Sequence, residues 1–182
     1  MSILSRLKSA YRKAIWSYER QARYVGVTLG ENNFIATRFW GTEPYLITIG
    51  SHCQITGGVR IYTHGGAGAV RRWYPKFDTF GKVTIGDYVY IGNHSLIMPG
   101  VTIGNNVLVA AGSVVTKSVP DNIVVGGNPA RYICTIEEYL ERNKKFNTDT
   151  KDVGHEEKKQ ILMSLPAEKF VTKSNILIDK AQ

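Results

Sequence analysis

A six-residue repeat of aliphatic side chains runs through the middle of this 182-residue chain. Isoleucine or valine returns at every sixth position, at Ile85, Ile91, Ile97, Ile103, Val109 and Val115. Glycine directly follows three of these residues, and a second frame of mostly aliphatic residues lies two positions before each of them. A repeat this short indicates a solenoid, because one unit is too small to bury its own apolar side chains and must stack on its neighbours.

The period of six predicts short strands wound into a coil. Six is a multiple of the two-residue period of extended backbone, so the aliphatic frame can stay on one face. An ordinary strand ends after about five or six residues, so a repeat from Val83 to Val119 must turn several times without losing phase. A triangular rung of three strands and about eighteen residues meets this condition, with glycines at corners where backbone angles are tight. An ordinary sandwich with accidental spacing is the alternative.

The same frame appears upstream at Ile49, Ile55 and Ile61, and it lapses between Ile61 and Val83. We therefore predict an all-β core, a triangular coil of short strands, with residues 65–82 as a loop expelled from the coil. The predicted divisions are an N-terminal helix at 1–25, the coil at 26–134, and a C-terminal helical extension and tail at 135–182. Ser95 and Ser113, eighteen positions apart, are expected to stack in successive rungs.

The N-terminal segment has apolar residues at helical spacing, at Ile3, Leu4, Leu7, Tyr11, Ala14, Ile15 and Tyr18. Its many basic residues allow two interpretations: a helix on an acidic membrane surface, or one that packs on its own domain or a partner subunit. At the other end, Thr135 and Glu138 form a capping box before a predicted helix. A second helix is predicted in HEEKKQILMSL.

Composition limits the function classes. No run of eighteen apolar residues is present, and the N-terminus does not have the pattern of a secretory signal. Two cysteines, Cys53 and Cys134, do not make a disulfide framework, which favours a reducing, cytoplasmic setting. The net charge of +8 favours an anionic partner. No nucleic-acid-binding module is visible, so an anionic cofactor or nucleotide-linked substrate fits better than nucleic acid.

His64 is the main candidate for chemistry, because it ends a coil segment and opens the Gly-rich loop. A neutral imidazole there is suited to general-base catalysis, although a histidine that only closes a turn remains open. His94 lies at a corner, facing either the same cleft or solvent. Lys117 and Arg131, beside Gly-rich GGNPAR, are suited to phosphates. No metal is expected, since His52, His64 and His94 could converge only across subunits.

The stretch from VTIGDYVYIG to the closing GNPAR resembles the hexapeptide-repeat acyltransferases. The closest resemblance is to the sugar and polysaccharide O-acetyltransferases, related to galactoside, maltose and xenobiotic acetyltransferases, over about residues 40–135. This resemblance implies a left-handed parallel β-helix, a homotrimer with active sites in the clefts between subunits, and acetyl-CoA as the donor.

The resemblance also implies roles for individual residues. His64 matches the catalytic histidine, and the backbone N–H of Asn93 matches the donor to the thioester oxygen. The implied contacts to acetyl-CoA are Tyr90, Ala110, Thr116, Lys117 and Arg131. Candidate acceptor contacts are Glu43, Arg71, Arg72, Trp73 and His94. Gly65 and Gly66 stand where the family often has an acidic residue, so Glu43 or a backbone carbonyl is left to orient His64.

The expected function is direct acetyl transfer from acetyl-CoA to a hydroxyl of a free, lipid-linked or polysaccharide sugar. N-acetylation of a nucleotide-linked amino sugar is the alternative, since it uses the same fold and donor. A non-catalytic scaffold and a zinc hydratase are the remaining readings. Sequence does not distinguish the acceptors, because the aromatic residues of the loop can either stack on a sugar or pack the loop.

Overall fold

The structure, a computed structural model, describes residue 7, residues 10–12 and residues 14–175. The chain forms two compact units, Met1–Ile136 and Glu137–Gln182. The predicted apolar positions Ile3 and Leu4 lie outside the described residues, as does the end of the predicted tail. The three-part division made from the sequence stays a prediction.

The N-terminal segment is helical at its described residues up to Ile15. A separate helix, labelled α1 here, then covers Tyr18–Val25. Ser17 separates the two, because its hydroxyl accepts the backbone N–H of Arg20 at 3.2 Å as a helix N-cap. One uninterrupted helix through residue 25, as predicted, is therefore not formed. Gly26 ends α1 with φ near 111°, and Ala22 of α1 is fully buried in the core of the first unit.

Three parallel sheets form the sides of a prism. Face 1 contains β1 (Thr28–Leu29), β3 (Ile47–Ile49), β6 (Val83–Ile85) and β9 (Thr102–Ile103). Face 2 contains β2 (Phe34–Ile35), β4 (Gln54–Ile55), β7 (Tyr90–Ile91), β10 (Leu108–Val109) and β12 (Ile123–Gly127). Face 3 contains β5 (Arg60–Ile61), β8 (Leu96–Ile97) and β11 (Val114–Val115). An antiparallel hairpin to β13 (Ala130–Thr135) completes face 2.

The register confirms the predicted coil and excludes the sandwich. Ile85 pairs with Ile103, Ile91 with Val109, and Ile97 with Val115, so the two central rungs are eighteen residues apart on all three faces. The inward aliphatic frame is buried. Ser95 and Ser113 also stack inside, where both hydroxyls donate to the carbonyl oxygen of Ala110, at 3.1 and 2.6 Å.

The corners stack into three edges of the prism. Edge 1, between faces 1 and 2, includes residues 51–52, 87–88 and 105–106. Edge 2, between faces 2 and 3, includes residues 57–58, 93–94 and 111–112. Edge 3, between faces 3 and 1, includes residues 63–64, 99–100 and 116–117. These edges carry the candidate site residues, so the winding fixes which of them can meet.

The predicted loop leaves the prism at edge 3. His64 pairs with Phe80 in an antiparallel bridge, and the Gly81 N–H donates to the Thr63 carbonyl at 2.7 Å. The rung then resumes in phase, with Thr48 opposite Thr84. The excursion therefore interrupts the sequence repeat without disturbing the stack.

Glycines that follow the isoleucines provide space rather than unusual backbone angles. Gly86 and Gly104 do not have a positive φ, contrary to the expectation of tight corner angles. A Cβ on Gly86 would lie 2.6 Å from Asn105 Oδ1 of the next rung. That oxygen accepts the Asp87 N–H at 2.8 Å, and Asp121 Oδ1 accepts the Asn105 N–H in the same way. Positive φ instead falls two residues after these glycines, at His52, Tyr88 and Asn106.

The last two α-helices of the described chain are α2 (Ile136–Asn143) and α3 (His155–Ser164), and neither has a buried residue. Short 3-10 turns cover Pro44–Leu46, Ala67–Ala69, Lys144–Phe146 and Ala167–Lys169. Within the described ranges, no helix has the length and apolar character needed to cross a membrane.

We predict that Gly86→Ala destabilises the protein by about 1–3 kcal/mol, because the added methyl group overpacks the corner against Asn105. Thermal unfolding should show a midpoint lowered by roughly 2–4 °C for each kcal/mol. The matched control is Gly68→Ala, where a Cβ meets nothing within 4 Å. Equal midpoints for the two variants would contradict the account of the corners.

Candidate active site

Edge 3 brings His64 and Glu43 together, although 20 residues separate them in the sequence. The Nδ1 atom of His64 lies 2.8 Å from Oε2 of Glu43, and the two side chains are 37% and 17% exposed. An ionised carboxylate only accepts hydrogen bonds, so Nδ1 carries the proton in this pair. The other ring nitrogen, Nε2, then has a free lone pair, as a general base requires.

Two threonines hold the Glu43 carboxylate. Thr63 Oγ1 donates to Oε2 at 2.7 Å, and Thr42 Oγ1 donates to Oε1 at 2.7 Å. These hydrogen bonds, with that of Thr63 the largest cause, lower the pKa of Glu43, and His64 lowers it further. Both carboxylate oxygens are thus engaged, which suits Glu43 to orienting His64 rather than to binding an acceptor.

Sequence reasoning missed Thr42 and Thr63. Thr63 continues the inward frame of Val59 and Ile61, and it is fully buried. A polar residue that continues the alternation of Val59 and Ile61, next to the candidate base, was the available signal. Thr42 carried no comparable signal, because the repeat is not visible in that part of the sequence.

The loop that begins at His64 carries the predicted acceptor contacts. The Phe80 ring lies 5.7 Å from the His64 ring, tilted by 48°. Arg71 is used within the loop, where its Nε donates to the Phe77 carbonyl at 3.2 Å. Arg72 lies over the ring of Trp73 at 4.3 Å. An open hollow of about 500 Å³ is lined by Trp73, Tyr74, Pro75, Lys76 and Phe77.

Edge 2 carries Asn93 and His94, away from the edge that carries His64. Among the described residues, no acceptor meets the Asn93 N–H, while its carbonyl accepts the Gly112 N–H at 2.8 Å. His94 is exposed with φ near 60°, and its ring covers Gly58 of the preceding rung. His52 stacks on Tyr88 at edge 1. Three histidines therefore occupy three different edges, and one chain does not bring them together.

A cleft at the end of the coil brings together Thr116, Lys117 and Arg131. Its volume is about 420 Å³, and it is also lined by Ala130 and Tyr132 of the hairpin. The positively charged side chains of Lys117 and Arg131 lie beside apolar residues of the cleft, such as Val119 and Ile123. This combination suits a ligand that has both phosphates and an apolar chain. Two other predicted contacts lie elsewhere: Ala110 is on edge 2, and Tyr90 is on face 2 opposite Leu108.

Both cysteines are buried, which makes them poorly suited to act as nucleophiles. Cys53 is buried, and burial raises the pKa of its thiol. Cys134 is also buried. Since the thiolate is the reactive form, a buried thiol with a raised pKa is a poor nucleophile.

Comparison with known proteins identifies the repeat. The family model described as bacterial transferase hexapeptide (six repeats) matches residues 82–117. Protein CapG of Staphylococcus aureus is 47% identical over 150 residues, covering 80% of this chain and 87% of CapG. The galactoside O-acetyltransferase of Escherichia coli is 33% identical over 128 residues, covering 66% of this chain but only 58% of that protein.

A solved structure shows the same architecture. A hexapeptide-repeat-containing acetyltransferase of Vibrio cholerae, complexed with acetyl coenzyme A, is 34% identical with a TM-score of 0.55, covering 60% of each chain. The likeness to structures of this kind implies that the prism winds as a left-handed β-helix. With the eighteen-residue rungs and the match to CapG over most of both proteins, the chain belongs to the hexapeptide-repeat acyltransferase family.

Proposed function

We propose that this protein is an acetyl-CoA-dependent O-acetyltransferase that acts on a sugar hydroxyl, with His64 as the general base. The observation that carries the proposal is the hydrogen bond between Glu43 and Nδ1 of a partly exposed His64, which leaves Nε2 as a base. A relative named galactoside O-acetyltransferase, and a structure of another relative complexed with acetyl coenzyme A, support the choice of reaction and donor.

Transfer is direct in this mechanism. The acceptor oxygen attacks the thioester carbonyl carbon while His64 Nε2 takes the hydroxyl proton, which typically contributes about 10²–10⁴-fold. The Asn93 N–H binds the negative charge that develops on the carbonyl oxygen, and one such donor is worth roughly 3–4 kcal/mol. When the C–S bond breaks, His64 returns the proton to the departing thiolate. No acyl-enzyme is needed, in keeping with the buried cysteines.

A homotrimer completes the site in this proposal. His64 on edge 3 and Asn93 on edge 2 cannot serve one substrate within one prism, whereas edges 2 and 3 of neighbouring subunits can meet. Face 3 presents Phe39, Arg60, Leu96 and Val114 outward. The outward column of face 1 is all threonine, at Thr28, Thr48, Thr84 and Thr102. The mostly apolar column of face 3 favours packing of that side against other subunits.

The same arrangement divides the donor contacts between subunits. Lys117 and Thr116 on edge 3 come from the subunit that supplies His64, and Ala110 on edge 2 comes from the subunit that supplies Asn93. Arg131 adds a second cation to the cleft near Lys117. We assign the phosphates of acetyl-CoA to Lys117 and Arg131, and the outward ring of Tyr90 to the implied aromatic contact.

The acceptor is proposed to be a sugar because aromatic rings lie beside the base and along the loop that begins at it. Phe80 lies beside His64, and Trp73 is exposed further along the loop, so both can stack on an apolar sugar face. His94 at the facing edge and Arg72 are secondary acceptor contacts.

Free Cys53 and Cys134 fit a reducing, cytoplasmic setting. N-acetylation of a nucleotide-linked amino sugar is the alternative, distinguished by screening amine and hydroxyl acceptors for thiol release.

We predict that His64→Ala lowers kcat at least a hundredfold while acetyl-CoA binding is largely kept, because the base is lost but the phosphate contacts are not. Free-thiol release measures turnover, and calorimetry measures binding. His155→Ala, an exposed histidine of the second unit, is the control. Near-normal turnover of His64→Ala would end the base assignment, and failure of the wild type to bind acetyl-CoA would favour a non-catalytic scaffold.

We predict that Thr63→Val raises the pKa of Glu43 toward its ordinary value and lowers kcat on the order of tenfold, through loss of imidazole alignment. Because folding lowers the pKa of Glu43, the ionised Glu43 carboxylate stabilises the folded protein. This stabilisation is present above the pKa that Glu43 has in the unfolded chain, and it is lost as pH falls through its pKa in the folded protein. Carbon NMR titration of the Glu carboxyl groups measures this pKa. In the control, Thr56→Val, a buried hydroxyl that donates to the Ile91 carbonyl is removed instead. An unchanged Glu43 pKa in Thr63→Val would refute the role of the threonine.

Subunit mixing tests the shared site. His64→Ala and Asn93→Pro are each expected to be inactive, because one removes the base and the other removes the backbone donor. Mixed trimers, formed by co-expression with two tags, should recover activity at the interfaces that retain both groups. Light scattering should give three times the 20.3-kDa chain mass. Inactive mixed trimers made from two folded variants would place both groups in the same subunit's site.

A further inference from the structure

Positive charge is concentrated at the N-terminal end of the chain. Residues 1–25 contain six arginines and lysines but one acidic residue, Glu19. The remaining residues carry seventeen basic and fourteen acidic side chains, which is close to balance. Most of the excess charge therefore belongs to the N-terminal segment and not to the prism that carries the candidate site.

The same segment presents a row of apolar side chains. Leu7, Tyr11 and Ile15 are helical and four residues apart, so they lie along one face of the helix. Their exposed fractions are 62, 63 and 65%. Leaving three large apolar side chains together in water is unfavourable. An exposed row of this kind marks a surface that contacts another protein or a membrane.

Aromatic rings and arginines tie this segment to α1. Trp16 packs edge-on against Tyr24 with ring centroids 5.3 Å apart. The Arg12 guanidinium lies 4.6 Å from the Tyr24 ring centroid, and the Arg20 guanidinium lies 4.2 Å from that of Trp16. The apolar row is therefore held beside a cluster of tryptophan, tyrosine and arginine, the residue types that suit the boundary between lipid headgroups and acyl chains.

We infer that this N-terminal surface, formed by Leu7, Tyr11 and Ile15 with Arg12 and Arg20 beside them, lies on an anionic phospholipid bilayer. The apolar row enters the acyl boundary, the two arginines meet headgroup phosphates, and the net positive charge of the segment attracts the anionic surface. The positive charge of the segment favours a bilayer, rather than a second copy of this chain, as the partner that covers the apolar row. Packing two such segments against each other brings like charges together, whereas an anionic surface neutralises them.

Contact with a bilayer would bring the prism to the surface where lipid-linked saccharides are held. This consequence rests on the proposed function, whereas the contact itself does not. Binding to vesicles can therefore be measured without any acetyl acceptor, and failure of one proposal leaves the other standing.

The test is co-sedimentation of the full chain with vesicles of phosphatidylcholine alone, or with about 30% phosphatidylglycerol. We expect at least tenfold tighter binding to the anionic vesicles at low salt, and weaker binding at about 0.5 M salt. The double variant Tyr11→Ser/Ile15→Ser should lose at least tenfold in affinity. The matched control is Leu140→Ser/Met163→Ser, which removes two exposed apolar side chains from α2 and α3 and should bind like the wild type.

Three outcomes would overturn the inference. The first is failure of the wild type to bind anionic vesicles. The second is binding of the Tyr11→Ser/Ile15→Ser variant as tight as that of the wild type. The third is a change in oligomeric mass, measured by light scattering, in that variant alone. The last result would mean that another subunit covers the apolar row. Circular dichroism serves as a check that each variant is folded.

Discussion

Backbone hydrogen bonds between strands of only two or three residues join each rung of the prism to the next. Because these strands are parallel and in phase, residue i lies beside residue i+18 on every face of the central rungs. The position of a side chain then depends on two counts: which rung it occupies and which face or edge it reaches. The glycines at edge 1 preserve this phase, since each leaves room for the carboxylate or amide that binds the rung below.

This constraint determines how a rigid coil with an apolar interior can carry chemistry. Reactive side chains cannot enter the packed interior, so they must stand at edges or on an expelled loop. His64 lies both at edge 3 and at the start of the expelled loop. The preceding rung places Glu43 at the same edge, within hydrogen-bond distance of His64. The backbone donor proposed at Asn93 belongs to another edge. A complete site between subunits follows from this placement together with the proposed mechanism.

The visible period explains what could be predicted from the sequence. The partners of Ile85 and Ile91 could be predicted by counting eighteen residues, and the lapse after Ile61 located the loop and His64. Glu43 could only be offered as one of two orienting groups. The first rung pairs with the second at an offset of 20 residues, as for Thr28 and Thr48, so no repeat in the sequence fixed its phase. The interruption of the N-terminal helix at Ser17 and the spatial role of the glycines depended on side-chain hydrogen bonds that hydrophobic periodicity does not report.

A structure of the protein with bound coenzyme A would test the central claim most directly. The account predicts a trimer in which the coenzyme A sulfur lies within about 4 Å of His64 Nε2 of one subunit and faces the Asn93 N–H of its neighbour, with the phosphates near Lys117 and Arg131. A sulfur bound away from edge 3, or a His64 ring that faces no cleft between subunits, would contradict it.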